Sequence, residues 1–219
     1  MTSLESALLV VAGLVATTNW YAVARSDARL ERATKPAVMA VLLAAVLLGD
    51  PEARPVSLLL AAALGASLVG DLLLLPPVRF TWGLIAFLLA HLAYLAAFLL
   101  GPLDVGLAGL GAAIGLLTLA LVGRPILRGA NNAGMRRSVA AYFGAIVLMA
   151  IAATASGSPV AAIGAWLFIA SDARLAWRQF VTAPDARDAR PAWHRLGVMV
   201  PYHAGQILLT TAILLQRAS

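Results

Sequence analysis

Between Pro55 and Pro76 the chain reads PVSLLLAAALGASLVGDLLLLP, an apolar run with one charged residue, Asp71. A helix that crosses a bilayer core needs roughly 20 consecutive, mostly apolar residues, and this run supplies them. Barrel strands are about 10 residues long and alternate polar with apolar. Here Leu and Ala continue without alternation, in Leu58–Leu64 and again in Leu84–Ala90. The run therefore reads as a membrane helix, and the rest of the chain has the same character. Of its 219 residues, 62% are hydrophobic and 12% are charged, against about 45–50% and about 25% in ordinary soluble domains. Mean hydropathy is +0.90. A soluble domain of this length cannot bury so much apolar side chain, and intrinsic disorder requires the opposite composition. The chain has no cysteine, which removes disulfides, thiol nucleophiles and Cys-ligated metal or iron–sulfur sites.

Working outward from that run, the hydropathy pattern predicts eight spans: Leu4–Ala24, Ala33–Gly49, Pro55–Pro76, Arg79–Gly101, Leu103–Gly123, Met135–Ala155, Pro159–Val181 and Leu196–Gln216. The second is the shortest. They take up most of the chain, so the expectation is one all-α, polytopic transmembrane domain over 1–219 with short connections. Thr182–Arg195 is the longest polar stretch. Met1–Ser3 is uncharged and Glu5 is acidic, unlike the basic start of a secretory signal peptide, so the first span is expected to be retained.

The formal charge of +6 reads as topology rather than as a nucleic-acid surface. Thirteen of the sixteen Lys and Arg flank the connections after spans 1, 3, 5 and 7: Arg25, Arg29, Arg32, Lys35, Arg79, Arg124, Arg128, Arg136, Arg137, Arg178, Arg187, Arg190 and Arg195. Only Arg54 and Arg217 sit on the other side, and Arg174 lies within span 7. The positive-inside rule places the basic connections in the cytoplasm and both termini outside. Trp20, Tyr21, Trp82, Trp177 and Trp193 fall near the same boundary and read as an aromatic belt. The Ala/Arg-rich, Lys-poor composition points to a bacterial inner membrane.

Two of the ten acidic residues, Asp71 and Asp172, lie inside spans, with His91, His203, Tyr94, Tyr142, Tyr202 and Gln206. An ionisable group at membrane depth costs at least ~2.5 kcal/mol on insertion scales and is a functional-site hypothesis by default. At a rise of about 1.5 Å per residue, Asp71, Asp172, Tyr142 and Tyr202 lie roughly 8–10 Å inside the basic end, and His91 nearer the midplane. Polar groups from five helices thus share a depth, which scattered helix-joining hydrogen bonds do not require. His91 and Tyr94 (i, i+3), Tyr202 and Gln206 (i, i+4), and Phe168 and Asp172 (i, i+4) each share a helical face. Gly70-Asp71-x-x-Leu74 echoes Ser171-Asp172-x-x-Leu175 four helices later, and raises the expectation of a four-plus-four repeat with a site between the halves. Gly111-x-x-x-Gly115 fits close helix packing. The chain lacks G-x-S-x-G, H-E-x-x-H, P-loop and G-x-G-x-x-G patterns. The two Asp and two His have no recognised metal-ligand spacing, so a metal-free carboxylate pair is expected, with no cofactor.

These segments together resemble the YhhN-type integral membrane family, whose characterised animal members are lysoplasmalogenases. The resemblance rests on Lys35-Pro36 opening helix 2, and on Gly70-Asp71-Leu72-Leu73-Leu74-Leu75-Pro76 ending helix 3. Helix 4 carries Phe80-x-x-Gly83-x-x-x-Phe87-x-x-x-His91-x-x-Tyr94. Helix 7 carries Gly164-Ala165-x-x-Phe168-x-x-Ser171-Asp172, followed by Phe180, and helix 8 carries Tyr202-x-x-x-Gln206. It covers nearly the whole chain, and the eight-helix layout agrees. His203 has no counterpart in the pattern and receives no role.

The resemblance implies cleavage of the vinyl ether bond of a lysoplasmalogen, a lysophospholipid drawn from the membrane, to a fatty aldehyde and a glycerophospho-head group. Asp71 and Asp172 would then divide acid and base roles, in an order the sequence leaves open. His91, Tyr94, Tyr142, Tyr202 and Gln206 would orient water or the glycerol hydroxyl. Lys35, with Arg79 or Arg136, would hold the lipid phosphate, although positive-inside topology explains Lys35 equally well. The rival reading is a proton-coupled transporter of a small molecule or lipid, since intramembrane Asp and His suit that too.

Overall fold

The computed structural model describes residues 1–50, 52, 54–75, 80–130, 132–183 and 191–218. Of the residues named above, Pro76, Arg79, Arg187 and Arg190 lie outside that set. The described chain folds into helices α1 (Ser3–Ala24), α2 (Ala28–Gly49), α3 (Pro55–Leu73), α4 (Phe80–Leu99), α5 (Val105–Gly129), α6 (Ala133–Ala155), α7 (Pro159–Phe180) and α8 (Ala192–Ala218), and no strand occurs among these residues. Among the described residues, eight helices are long and apolar enough to cross a membrane. Large side chains such as Leu14, Leu48, Leu89, Leu116 and Leu121 stand exposed on the outer faces, as they must where the solvent is lipid.

Three helices depart from the expected boundaries. α2 begins at Ala28 and runs 22 residues, so it is not the shortest; α3, with 19, is shorter. Its start is set by Asp27, whose carboxylate accepts the N–H groups of Arg29 and Leu30, a strong N-cap. Lys35-Pro36 therefore does not open the helix but sits two turns into it. α8 begins at Ala192, so Arg195 belongs to the helix.

α5 continues past Gly123 through one wide turn, Leu119–Gly123, to Gly129. Pro125 has no N–H to continue the usual ladder. The Arg124 N–H reaches back five residues to the Leu119 carbonyl instead, which is the π-type register. Arg124 and Arg128 are thus on a helix rather than in a connection. The added turn carries Ile126, fully buried against Val139 and Phe143 of α6.

Consecutive helices pair as α1–α2, α3–α4, α5–α6 and α7–α8, and α4 also packs on α6 as α8 touches α2. The two halves match to that extent. α1, however, packs on α8, and α5 makes no comparable contact with α4. α6 is enclosed, with 67% of its span buried, whereas α5 is peripheral at 11%. Gly111 and Gly115 of α5 face Ile151, Thr154 and Val147 of α6, so this pair does set a close helix contact. The backbones of α7 and α8 also approach closely: a Cβ on Gly205 would stand 2.8 Å from the Gly164 carbonyl oxygen.

At the end of the bundle away from the arginine-rich connections, Arg217 of α8 pairs with Glu5 of α1, lies 3.5 Å from Asp50 at the end of α2, and donates to Ser57 of α3 at 3.2 Å. Ser57 in turn donates to Asp50 at 2.5 Å. That bond, followed by the Arg54 backbone N–H and the Arg217 charge, holds the Asp50 carboxyl below the ordinary carboxylate range. Two outcomes follow. Gly205→Ala should lower the unfolding midpoint in detergent, at a cost of roughly 1–3 kcal/mol; Gly65→Ala, where an added Cβ meets nothing within 4 Å, should not. Because the folded Asp50 value is depressed, the stabilisation is present above the ordinary carboxylate range and is lost as pH falls through the folded value. Ser57→Ala should therefore be less stable than wild type at neutral pH, and the gap should narrow on acidification.

Candidate functional site

Asp71 lies in the last turn of α3 and is wholly buried. A carboxylate without partners at this depth is strongly disfavoured. Here Oδ1 faces the Lys35 ammonium of α2 at 3.2 Å, and Oδ2 accepts the Tyr202 hydroxyl of α8 at 2.9 Å. One turn deeper, Ser67 shares the Asp71 face of α3 and Gln206 shares the Tyr202 face of α8. Gln206 donates from Nε2 to the Ser67 hydroxyl at 2.9 Å and accepts the Tyr94 hydroxyl of α4 on Oε1 at 2.6 Å. Two polar rungs thus tie α3 to α8, and the deeper one extends to α4.

The second carboxylate has different neighbours. Oδ2 of Asp172 accepts the Tyr142 hydroxyl of α6. His91 Nε2 of α4 stands 3.9 Å from the same oxygen, beyond hydrogen-bond distance. No hydrogen bond joins the two carboxylates. Between their groups lies Phe168, with ring centroids 4.7 Å from His91 and 5.5 Å from Tyr202. Lys35 and Asp71 nevertheless both act electrostatically on Asp172.

The small residues before each Asp serve different ends. Gly70 leaves room for the Phe87 ring, which a Cβ would meet at 2.6 Å, and Phe87 packs edge-on against Phe168 and Tyr202. Ser171 donates to the Val198 carbonyl at 3.0 Å, three residues before Pro201, where the α8 ladder is interrupted.

Asp172 and Tyr142 border a small cleft between α4, α6 and α7. Its other walls are apolar: Phe80, Leu84, Val139, Phe143, Leu175, Ala176 and Phe180. The Asp172 side chain is 15% exposed, against 0% for Asp71. Of the six buried polar atoms that lack a hydrogen-bond partner among the described residues, three are nitrogens of His91 and His203, and a fourth, Asp71 Oδ1, has the Lys35 ammonium beside it. Folded cores leave few such atoms, and their concentration here makes this cluster the candidate site. Among the described residues no three His, Asp or Glu come together as metal ligands.

The geometry connects Lys35, Asp71 and Tyr202; Asp172, Tyr142 and His91; and Tyr94 and Gln206. The last two join Ser67 rather than a carboxylate, so Tyr202 and Gln206, though on one face, meet different partners. Arg136 is exposed at the start of α6. Two residues outside the expected set enter the site. Trp20, expected in an aromatic belt, donates its Nε1–H to His203 Nδ1 at 3.2 Å, while its neighbour Tyr21 is 62% exposed. Ser67 was signalled only by its four-residue spacing from Asp71.

A family model described as the YhhN family matches residues 30–213. The chain belongs to the YhhN family. Lysoplasmalogenase TMEM86B of Homo sapiens is 37% identical over 160 residues, which cover 71% of this chain and 63% of the human protein. The Rattus norvegicus protein of the same name is 40% identical over 157 residues, covering 71% of this chain and 61% of its own length. The YhhN chain thus matches less than two thirds of the length of these curated relatives. No solved structure matches it. The stretch matched to the YhhN model runs through the whole cluster from Lys35 to Gln206 and includes His203, while Trp20 precedes it. The Lys35–Asp71 pair gives a direct stability test. Lys35→Met strands a buried carboxylate and should cost about 3–5 kcal/mol, as when one partner of a buried ion pair is removed. Adding Asp71→Asn should restore most of that loss, measured by unfolding of the purified protein in detergent.

Proposed function

We propose that this YhhN protein is a membrane hydrolase that cleaves the vinyl ether bond of a lysoplasmalogen. The observation that carries the reading is a carboxyl, Asp172, on the wall of an apolar cleft, with a second carboxylate, Asp71, held against a cation in the same polar cluster. The name of the mammalian relatives supports the same reaction. The alkenyl chain would lie in the cleft between α4, α6 and α7, which places its first carbons beside Asp172.

One ammonium, paired with Asp71, also acts on Asp172 in an apolar medium, and one proton on the two carboxylates leaves the cluster neutral. Lys35 and the Tyr202 hydroxyl hold Asp71 as the anion. The proton then sits on Oδ1 of Asp172, leaving Oδ2 to accept from Tyr142. Asp172 delivers it to the alkene carbon remote from the ether oxygen, and the oxygen-bearing carbon becomes an oxocarbenium ion. A water molecule adds to that carbon and gives its proton to a carboxylate, with Asp71 supplying negative charge beside the developing cation. The hemiacetal loses its hydroxyl proton and its carbon–oxygen bond to the glycerol breaks. The glycerol oxygen is protonated and the aldehyde leaves. Water is consumed, and no other reactant is needed.

The membrane orientation belongs to the same proposal: the arginine-rich end faces the cytoplasm, with both described ends of the bundle outside. Enzyme is favoured over transporter by the packing beyond the site. Between Ser67 and Ser57, α3 carries Leu60 and Leu64, and between Gln206 and Arg217, α8 carries Leu209 and Ile213; all four are buried in the apolar core. That layer separates the cluster from the far end of the bundle. Purified protein offered a lysoplasmalogen should release fatty aldehyde, and a 1-acyl lysophospholipid should yield no fatty acid. Asp71→Asn and Asp172→Asn should each fold and lose at least about 10²-fold in aldehyde release. Full activity in both variants would sink the carboxylate mechanism, and solute uptake into liposomes without aldehyde would favour transport.

A further inference from the structure

Trp20, Lys35 and His203 come from α1, α2 and α8, none of which lines the cleft. The indole N–H is a donor only. Because it donates to His203 Nδ1 at 3.2 Å, that nitrogen carries no proton. The imidazole is therefore neutral, with its hydrogen on Nε2. His203 is 0% exposed, and Nε2 has no hydrogen-bond partner among the described residues. A buried N–H fixed in direction and left without an acceptor is tolerated where a ligand supplies one.

The surroundings identify that acceptor. Lys35 acts electrostatically on His203. Its ammonium lies 6.0 Å from the centre of the Tyr202 ring, and that ring is 5.2 Å from the His203 ring. Lys35 is also the cation of the site that retains exposure, at 12%. A positive charge beside a neutral, oriented donor suits a phosphate oxygen, since charge-assisted bonds to phosphate are strong and short.

We propose that His203, held in its Nε2–H form by Trp20, binds the phosphate of the substrate's glycerophospho-head group together with Lys35. This rests on the vinyl ether reading above and adds to it a second, polar end of the site. The tail lies between α4, α6 and α7, and the phosphate lies between α1, α2 and α8. The scissile ether falls between them, next to Asp172 and Asp71. His203 is a substrate-binding residue in this arrangement, and Trp20 is a positioning residue that acts through it.

Two amide variants separate the ring nitrogens. His203→Asn keeps an acceptor near the Nδ1 position for Trp20 and removes the outer donor. His203→Gln places a donor near the Nε2 position. With a lysoplasmalogen, His203→Asn should raise KM about tenfold or more, the loss expected for one hydrogen bond to a charged acceptor, with kcat little changed. His203→Gln should keep a KM near wild type. With a 1-alkenylglycerol that has no phosphate, all three proteins should share one KM. An equal rise of KM on both substrates in His203→Asn, or no rise on either, overturns the proposal.

Ligand-induced stabilisation tests the same site without turnover. sn-Glycerol 3-phosphate should raise the unfolding midpoint of wild type and His203→Gln, but not of His203→Asn. Inorganic phosphate at the same concentration should do less. Equal stabilisation by inorganic phosphate would make this a free-anion site and overturn the head-group assignment. Stabilisation of His203→Asn equal to wild type would overturn the role of His203. If wild type releases no aldehyde yet shows the expected stabilisation, the vinyl ether reading fails and the phosphate site stands.

Discussion

A carboxylate at membrane depth with one ammonium within reach is the constraint around which this bundle is organised. Asp71 has to have Lys35, so α2 must carry a cation two turns along its length, and α2, α3 and α8 must converge where the ammonium and the Tyr202 hydroxyl reach the two carboxylate oxygens. The Ser67–Gln206–Tyr94 rung one turn deeper satisfies the polar groups that this convergence brings along. Arg195 of α8 reaches Glu31 of α2 at the outer margin of the same contact. Each added bond restricts how α8 can turn about its axis, and so fixes which ring of the Tyr202–His203 pair faces which neighbour.

The spans and the pair of aspartates were legible because hydropathy and the cost of ionisable groups are local properties. The boundaries that moved were those set by chemistry weaker than hydropathy. Arg29, Glu31 and Arg32 look like a connection, yet the Asp27 cap and the long side chains of a helix end let α2 start before them. The extra turn of α5 hangs on a missing N–H at Pro125, and it matters, since Ile126 backs Val139 and Phe143, two walls of the cleft. Rotation was the least legible. Trp20 and Tyr21 are adjacent and both sit near the interface, so depth alone assigns them to one belt. Only the packing of α1 on α8 turns the first toward His203 and leaves the second to lipid. His203 itself had no spacing signal, because its partner lies on the first helix of the bundle.

Glycine and serine before the two aspartates looked like one repeated motif, and physically they are two solutions to two problems. Gly70 admits an aromatic ring to the surface of α3. Ser171 takes up a backbone carbonyl near the proline of α8. The aromatic group of Phe87, Phe168, Tyr202 and His91 then fills the space between the carboxylates and keeps them in separate surroundings although both helices aim them inward. In the proposed mechanism, that separation would let two chemically identical side chains hold different protonation states.

The clasp of Glu5, Asp50, Ser57 and Arg217 at the far end has a directional consequence. Together with Lys35–Asp71 and Arg195–Glu31, it fastens α1, α2, α3 and α8 into a sector that opens only by breaking ion pairs. The side formed by α4, α6 and α7 around the cleft is held chiefly by apolar contacts, which part at little cost when lipid replaces them. For the proposed lipid substrate, sideways entry from the bilayer would be the low-barrier route. The fragments of a cleaved lipid would leave along different paths, the hydrocarbon piece back into the leaflet and the charged piece out through the head-group layer.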